Sequence, residues 1–323
     1  MGRRLLEVQD LKTYFFTKRG VVKAVDGVSF SLDEQQAVGL VGESGCGKSI
    51  TGLSILRLEP KPAGKIVGGK VLFEGEDLLQ KSQAEMRRIR GRKISIIMQD
   101  PNISLNPAYT IGNQISEVIR LHQKIRGRAV LEEVIDSLKR VRIPAAETRV
   151  NDYPHQMSGG MRQRVSGAMA LSCHPSLLIA DEPTTALDVT TQAQYLELLK
   201  VVQQETKVAM IFITHDLGIV ASMCDKICVM YMGKVVESGE VNDIWNNPRH
   251  PYTIALMKSI PQSDRKVERL YSVAGMVPSH FDLPQGCTFH PRCDRAINHC
   301  RQEYPHEVDL GSGHFVSCWT VQE

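Results

Sequence analysis

The chain contains a glycine-rich stretch, Gly-Glu-Ser-Gly-Cys-Gly-Lys-Ser at residues 42–49, between two apolar segments. This stretch matches G-x-x-x-x-G-K-[ST], in which the glycines let the backbone wrap closely around a phosphate chain. The apolar run 37–41 before it is typical of a buried parallel strand, and residues 50–58 after it have a helical pattern that Pro60 stops. A strand, a glycine turn and a helix in this order predict a nucleoside triphosphate site.

The residues of this motif have separate predicted roles. We expect Lys48 to reach the β- and γ-phosphates and the Ser49 hydroxyl to hold Mg²⁺. The other positions are expected to line the phosphates with backbone N–H groups: Gly42, Glu43, Ser44, Gly45, Cys46, Gly47 and Ile50.

The length and net charge of the chain limit the classes of protein to which it can belong. The 323 residues are enough for two domains, and a net charge of +3 on 39 basic and 36 acidic residues leaves no basic footprint for nucleic acid. No apolar run approaches the ~20 residues of a membrane span, and the N-terminal residues lack a signal-peptide core. The sequence therefore predicts a soluble, cytoplasmic protein without a nucleic-acid partner.

Polar residues follow the apolar segments farther along the chain. The segment 176–180 ends in Asp181 and Glu182, the segment 208–213 leads to His215, and the segment 93–98 leads to Gln99. Since α/β sheets place ligands at the carboxyl ends of their strands, Asp181 is predicted to hold Mg²⁺ and Glu182 to deprotonate the water that attacks the γ-phosphate. Alternating strands and helices predict a mostly parallel sheet covered on both faces.

Three other segments carry weaker signals. Residues 100–157 are predicted to form an inserted helical subdomain, in which apolar side chains at spacings of three and four make one face: Leu131, Val134, Ile135, Leu138 and Val141. Ser158-Gly159-Gly160 precedes a helix and could bind an anion, although alone this pattern is weak. One aromatic of Tyr14, Phe15 and Phe16 could stack on a base.

The order of these motifs resembles the nucleotide-binding subunit of an ABC transporter. The resemblance covers residues 1–245, and residues 246–323 are similar to the C-terminal extension of the oligopeptide/dipeptide importer ATPases, of the dipeptide-permease type. It implies an α/β fold with a P-loop NTPase (RecA-like) core, an antiparallel β subdomain and the inserted helical subdomain, plus the small cysteine-rich extension. The domains are therefore predicted as 1–245 and 246–323.

The resemblance also implies residue roles and partners. Phe15 would stack on adenine, with Tyr14 and Phe16 as rivals, and Gln99 would contact Mg²⁺ and sense the γ-phosphate. His215 would bridge the γ-phosphate and a second ATPase subunit, whose own Ser158, Gly159 and Gly160 would bind the same γ-phosphate. The implied assembly adds two transmembrane permease subunits and, indirectly, an extracytoplasmic solute-binding protein. The chain would then lie at the inner face of the cell membrane.

Four of the eight cysteines lie in the last forty residues: Cys287, Cys293, Cys300 and Cys318. In a reducing compartment such a group indicates a metal before it indicates disulfides. The long, uneven spacing suits a 4Fe–4S cluster better than zinc, whose ligands usually include closer pairs, and the resemblance implies such a cluster at these positions. Zinc, disulfides and free thiols remain alternatives.

The leading interpretation is an ATPase that couples hydrolysis to uptake of di- or oligopeptides. Nickel or another small solute is the nearest alternative cargo, because the ATPase itself does not touch the cargo. A mechanical ATPase acting on nucleic acid is more remote, because the chain has neither a coiled-coil insertion nor a basic surface run.

Overall fold

The computed structural model describes residues 2–260, 271 and 273–322, which contain twelve strands and twelve α-helices. The strands are β1 (Arg4–Thr17), β2 (Gly20–Asp33), β3 (Ala37–Val41), β4 (Gly64–Phe73), β5 (Glu76–Asp77), β6 (Ile94–Ile97), β7 (Leu177–Asp181), β8 (Ala209–Thr214), β9 (Lys226–Tyr231), β10 (Lys234–Glu240), β11 (Val308–Asp309) and β12 (Phe315–Val316). The helices are α1 (Lys48–Ile55), α2 (Gln83–Ile89), α3 (Pro101–Ser104), α4 (Ile111–His122), α5 (Arg128–Arg140), α6 (Ala146–Arg149), α7 (Gly159–Leu171), α8 (Val189–Thr206), α9 (Leu217–Met223), α10 (Val241–Asn246), α11 (Pro251–Lys258) and α12 (Trp319–Gln322).

Two compact units divide these elements. One unit consists mainly of Gln80–Phe212, with Asp33–Gln36. The other contains Arg4–Leu32, Ala37–Leu79 and the described residues from Ile213 on, so the C-terminal extension shares a unit with the glycine-rich loop. This division differs from the predicted domains 1–245 and 246–323, which stay a prediction.

The unit of residues 80–212 combines parallel strands with helices. β6 and β7 pair in parallel from Ile94 opposite Leu177 to Ile97 opposite Ala180, and all five residues of β7 are buried. A strand that is apolar along its whole length is typical of a parallel sheet with both faces covered. The helices α3 to α6 occupy the described residues of the predicted helical subdomain, and no strand lies among them.

The predicted apolar face of α5 forms as expected at Val134, Leu138 and Val141 and differs at its first residue. Val134 and Leu138 are buried as expected, but Leu131 is 49% exposed and Val130 is buried in its place. Two neighbouring apolar residues at one edge of a helical stripe fit the 3.6-residue period almost equally, and packing against the neighbouring helices decides between them.

The other unit contains two sheets. The first is antiparallel, with the strand order β2-β1-β4-β5. In the second, β3 pairs in parallel with β9, β9 pairs antiparallel with β10, and β10 pairs antiparallel with β12 of the C-terminal extension. β11 pairs with β12, so the extension adds two short strands to the sheet edge.

The helix after the glycine-rich loop is shorter than predicted. α1 begins at Lys48 and ends at Ile55, ahead of Pro60, because Arg57 adopts a left-handed conformation with φ 53°. The N–H of Leu58 then donates to the carbonyl oxygen of Leu53 at 2.8 Å, which closes the helix end in the manner of a Schellman motif.

None of the helices in the described part of the chain is long and apolar enough to cross a membrane.

Candidate functional site

The glycine-rich loop connects β3 to α1, and two of its glycines are required by close backbone contacts. A Cβ on Gly42, at φ 153°, would lie 2.2 Å from the carbonyl oxygen of Met230. A Cβ on Gly47, at φ 104°, would lie 2.2 Å from the carbonyl oxygen of Ala24. Both positions therefore exclude any side chain, and the loop keeps its backbone free to approach an anion.

Lys48 is held inside this loop. Its side chain is buried, and its ammonium donates hydrogen bonds to the carbonyl oxygens of Gly42 and Glu43 at 2.7 and 3.1 Å. Lys48 and Ser49 are also the first two residues of α1, at the positive end of the helix dipole. A cation and a helix N-terminus at one place form an anion-binding site.

The three aromatic residues near the end of β1 have different environments. Side chains alternate across a strand, so Phe15 lies on the same face as Thr13, whose hydroxyl contacts that of Ser54 in α1 at 2.8 Å. Tyr14 lies on the opposite face and donates its hydroxyl to Asp26 at 2.6 Å. Phe16 is 47% exposed, with the Lys65 ammonium 5.5 Å from its ring centre. The face that contacts α1 thus carries Phe15, the aromatic predicted to stack on adenine.

Asp181 and Glu182 lie at the carboxyl end of β7. Asp181 is buried, and Glu182 has a left-handed backbone with φ 43°, which is uncommon for a residue other than glycine and is often found at functional sites. The side-chain amide of Gln99 donates to Oε2 of Glu182 at 3.0 Å, and the Thr185 hydroxyl donates to the same atom at 2.9 Å. The structure therefore brings together two predicted site residues, Gln99 and Glu182.

Thr185 is a contact that the sequence analysis missed. It lies three residues after Glu182 in the turn that follows β7, and the signal available was its position beside the Asp-Glu pair. Two donors on one carboxylate oxygen fix the direction of the carboxylate, which is what a general base needs.

Ser158, Gly159 and Gly160 begin α7 at the protein surface. The exposed Ser158 caps the helix, since its hydroxyl oxygen accepts from the N–H of Met161 at 3.3 Å. A Cβ on Gly159 would meet nothing within 4 Å, whereas one on Gly160 would lie 2.6 Å from the Thr191 side chain. The helix N-terminus is therefore open to solvent at Gly159, as an anion-binding end must be.

His215 follows β8 directly and is exposed. The next residue, Asp216, caps α9 by accepting from the N–H groups of Gly218 and Ile219 at 2.8 and 3.3 Å. A strand end on one side and a capped helix on the other fix the backbone that carries His215.

In this structure the four C-terminal cysteines are not arranged as the predicted metal site. All eight cysteines are free thiols, so no disulfide joins them. The backbone N–H of Cys287 donates to the carbonyl oxygen of Cys300 at 2.8 Å, and burial, opposed by a hydrogen bond from the Phe289 backbone, raises the pKa of Cys287 to about 12. Within the described residues, however, no group of three or more His, Cys, Asp or Glu side chains is arranged to hold a metal ion.

The spacing of these cysteines indicated ligands but could not define their side-chain geometry. Metal ligands usually reach their final arrangement only with the metal, because binding and folding are coupled. The expected 4Fe–4S cluster and the zinc alternative therefore stay unsupported predictions.

Comparisons with known proteins agree with this geometry. The family model "ABC transporter" matches residues 25–185, and the model "Oligopeptide/dipeptide transporter, C-terminal region" matches residues 236–300. The chain is 48% identical to a probable peptide ABC transporter ATP-binding protein of Sinorhizobium fredii, over 99% of this chain and 96% of the relative. It is also 48% identical to the dipeptide transport ATP-binding protein DppD of Bacillus subtilis, over 98% of this chain and 94% of the relative.

A solved structure gives the fold. The ATP-binding cassette MJ0796, in a dimeric post-hydrolysis state bound to ADP and Pi, matches with a TM-score of 0.66 and 25% identity, over 73% of this chain and 99% of that one. The predicted α/β fold with a P-loop NTPase core is confirmed. The similarity over nearly the full length and both family models show that this chain belongs to the ABC transporter ATP-binding proteins that carry the oligopeptide/dipeptide transporter C-terminal region.

Proposed function

We propose that this ABC transporter ATPase drives the uptake of di- or oligopeptides through membrane permease subunits. The assignment of peptides as the cargo is based on relatives that are named for peptide and dipeptide transport. These relatives resemble this chain over almost its whole length. Within the chain, the observation that carries ATP hydrolysis is the Glu182 carboxylate, which Gln99 and Thr185 hold in one direction.

In this proposal the loop of residues 42–49, with Ile50, binds the phosphates of ATP through backbone N–H groups, and Lys48 neutralises the β- and γ-phosphates. Phe15 stacks on the adenine. Ser49, Asp181 and Gln99 are oxygen donors of the kind that Mg²⁺ prefers, and bound Mg²⁺ would supply neutralisation of the phosphate charge.

Glu182 is the proposed general base. Its carboxylate accepts a proton from the attacking water, and the hydrogen bonds from Gln99 and Thr185 keep the carboxylate from rotating away. Because Gln99 contacts Glu182 directly, a movement of Gln99 would reorient the base. This contact supports the proposed role of Gln99 as a sensor of the γ-phosphate.

A second ATPase subunit, identical or homologous, completes the proposed site. The N-terminus of α7 is exposed at Ser158 and open at Gly159, so its N–H groups are available to an anion on another molecule. In this arrangement His215 also faces the partner subunit. The resembling cassette MJ0796 is dimeric, which supports a two-subunit site here.

The proposed assembly includes two permease subunits and a solute-binding protein, and it lies on the cytoplasmic face of the membrane. Cells that lack this chain should fail to take up a labelled dipeptide, and the wild-type chain should restore uptake while Glu182→Gln should not. Normal dipeptide uptake without the chain, together with a loss of nickel uptake, would reassign the cargo.

A metal site at Cys287, Cys293, Cys300 and Cys318 is a separate proposal, although the described side chains are not arranged to hold a metal in this structure. It rests on the thiol ligand set, on the burial of three of the four side chains and on a rearrangement that metal binding would bring. Protein purified without oxygen should be brown and contain about four iron atoms per chain. Replacing any one of the four with Ser should bleach the protein, whereas Cys173→Ser should not. A colourless preparation with one zinc per chain would indicate a structural zinc instead, and one without metal would refute both.

A further inference from the structure

The C-terminal extension contacts the phosphate-binding loop directly through Arg292. Its two terminal guanidinium nitrogens donate to the two carboxylate oxygens of Glu43, at 2.6 and 3.0 Å. This is a bidentate pair between residues that are 249 positions apart in the sequence. Such pairs are the most directional ion pairs that proteins form, since two parallel hydrogen bonds fix the plane of the guanidinium relative to the plane of the carboxylate.

The position of Arg292 is itself fixed. Its side chain is only 3% exposed, its Nε donates to the carbonyl oxygen of Ala274 at 3.0 Å, and the guanidinium carbon lies 5.9 and 6.0 Å from the ring centres of Tyr231 and Phe289. A guanidinium is protonated at neutral pH in proteins. The guanidinium therefore stays charged and has little freedom to leave Glu43.

The backbone of the same loop residue has a second partner in the extension. The Glu43 N–H donates to the hydroxyl oxygen of Tyr252 at 2.9 Å, and Tyr252 is fully buried. The Tyr252 ring packs against those of Tyr231 and Phe289, with ring centres 4.7 and 5.3 Å apart. The side chain of Glu43 is thus bound by Arg292 and its backbone by Tyr252, and both of these residues contact the rings of Tyr231 and Phe289.

A third contact lies two residues farther along the loop. Nε2 of His280 is 2.9 Å from the carbonyl oxygen of Gly45, which makes this ring nitrogen the donor. The extension therefore contacts the loop at Glu43 and at Gly45, both within the motif that precedes Lys48.

These contacts bear on the part of the loop that binds phosphate. The ammonium of Lys48 donates to the carbonyl oxygens of Gly42 and Glu43, so the Glu43 residue lies between Arg292 and Lys48. Any shift of Glu43 would move the peptide groups that position this ammonium. Displacements of about 1 Å in a binding site can cost about 10²-fold.

We propose that Arg292 is a positioning residue for the phosphate-binding loop, and that the C-terminal extension sets the nucleotide affinity of this ATPase through Arg292, Tyr252 and His280. The proposal rests on the proposed binding of ATP by residues 42–49. It gives the extension a function in the ATPase cycle: a partner or ligand that displaces the extension would loosen the loop.

The test is equilibrium binding of MgATP to the full-length chain. Arg292→Ala should raise the Kd for MgATP by about 10-fold or more, since loss of one partner leaves the Glu43 carboxylate without its bidentate donor. Arg292→Lys keeps the positive charge but cannot donate two parallel hydrogen bonds to one carboxylate. It should therefore give an intermediate increase in the Kd for MgATP. The matched control is Arg295→Ala, an exposed arginine of the same segment, which should bind like wild type.

A double variant separates positioning from a general loss of stability. If Arg292 acts through Glu43, Arg292→Ala combined with Glu43→Gln should weaken binding no more than the worse single variant, because the two changes remove one interaction. Additive losses would contradict the proposal. Thermal unfolding measured beside the Kd distinguishes a folded protein with low affinity from a partly unfolded one.

His280→Ala provides a variant at a half-buried position that is less prone to unfolding. A severalfold rise in its Kd would support the proposal, and wild-type Kd values in both Arg292→Lys and His280→Ala would overturn it. Lys48→Ala, measured in parallel, keeps this outcome separate from a failure of the proposed ATP site. If Lys48→Ala binds ATP normally, the site itself is wrong.

Discussion

The two glycine-containing segments that are proposed to bind anions differ in how much the chain itself surrounds them. In the loop of residues 42–49, a Cβ on Gly42 or on Gly47 would overlap a main-chain carbonyl oxygen, and the lysine is buried. At Ser158-Gly159-Gly160, a Cβ on the first glycine would meet nothing within 4 Å, and the serine is exposed. The first segment is a site enclosed by its own chain, whereas the second is a surface that needs another molecule to complete it.

Lys48→Ala should produce the largest effect on the enclosed site. The substitution removes the cation that is proposed to contact the phosphates, and charge-assisted hydrogen bonds contribute ~1.5–3 kcal/mol each. We therefore expect the affinity for ATP to fall by about 10²–10⁴-fold, with hydrolysis falling in parallel. Isothermal titration of the monomer with MgATP measures this, and an unchanged Kd would show that the loop does not bind the nucleotide.

Two glycine substitutions, one in each segment, test this comparison through the free energy of unfolding. Gly47→Ala should lower the free energy of unfolding by ~2–4 kcal/mol, because its Cβ would overlap the Ala24 carbonyl and its φ of 104° is strained for alanine. Gly159→Ala should change it by less than ~1 kcal/mol, because that Cβ meets nothing within 4 Å and alanine favours a helix. Urea unfolding of both variants gives the two values, and equal losses would contradict the difference described here.

Ser158→Arg should have the smallest effect on the isolated chain. Because the residue is exposed at the start of α7, the monomer should bind ATP within about twofold of wild type. ATP-driven dimerisation should nevertheless be lost, since a large cation would replace the hydroxyl at the open helix end. Size-exclusion chromatography with light scattering, in the presence of ATP, separates the two results. A monomer that loses affinity for ATP would place these residues in its own site.

The motifs of the candidate site could be recognised in the sequence because each of them is local. The loop of residues 42–49 and the cap at Ser158 follow from residues within a few positions of one another, and the backbone rules that they satisfy act over the same distance. The Arg292–Glu43 pair joins residues 249 positions apart, and neither residue carries a signal of the other. Only the folded chain brings them together.

The errors have equally local causes. The face of α5 differs from the prediction at its first residue, because Val130 and Leu131 are both apolar and packing buries Val130. The end of α1 depends on a left-handed Arg57, a conformation that the sequence does not indicate for arginine. The cysteine spacing gave four candidate ligands, but side-chain geometry at long and uneven spacing is set by tertiary packing.

The central claim is that Glu182 is the base of an ATPase completed by two subunits, and Glu182→Gln tests it most directly. Glutamine keeps the size of the side chain and hydrogen-bonding capacity toward Gln99 and Thr185, but it cannot accept the proton of water at neutral pH. We predict that the variant binds ATP like wild type, hydrolyses it ~10²–10⁴-fold more slowly, and accumulates as an ATP-bound dimer with its partner ATPase subunit. Hydrolysis at the wild-type rate, measured by phosphate release, would contradict the account.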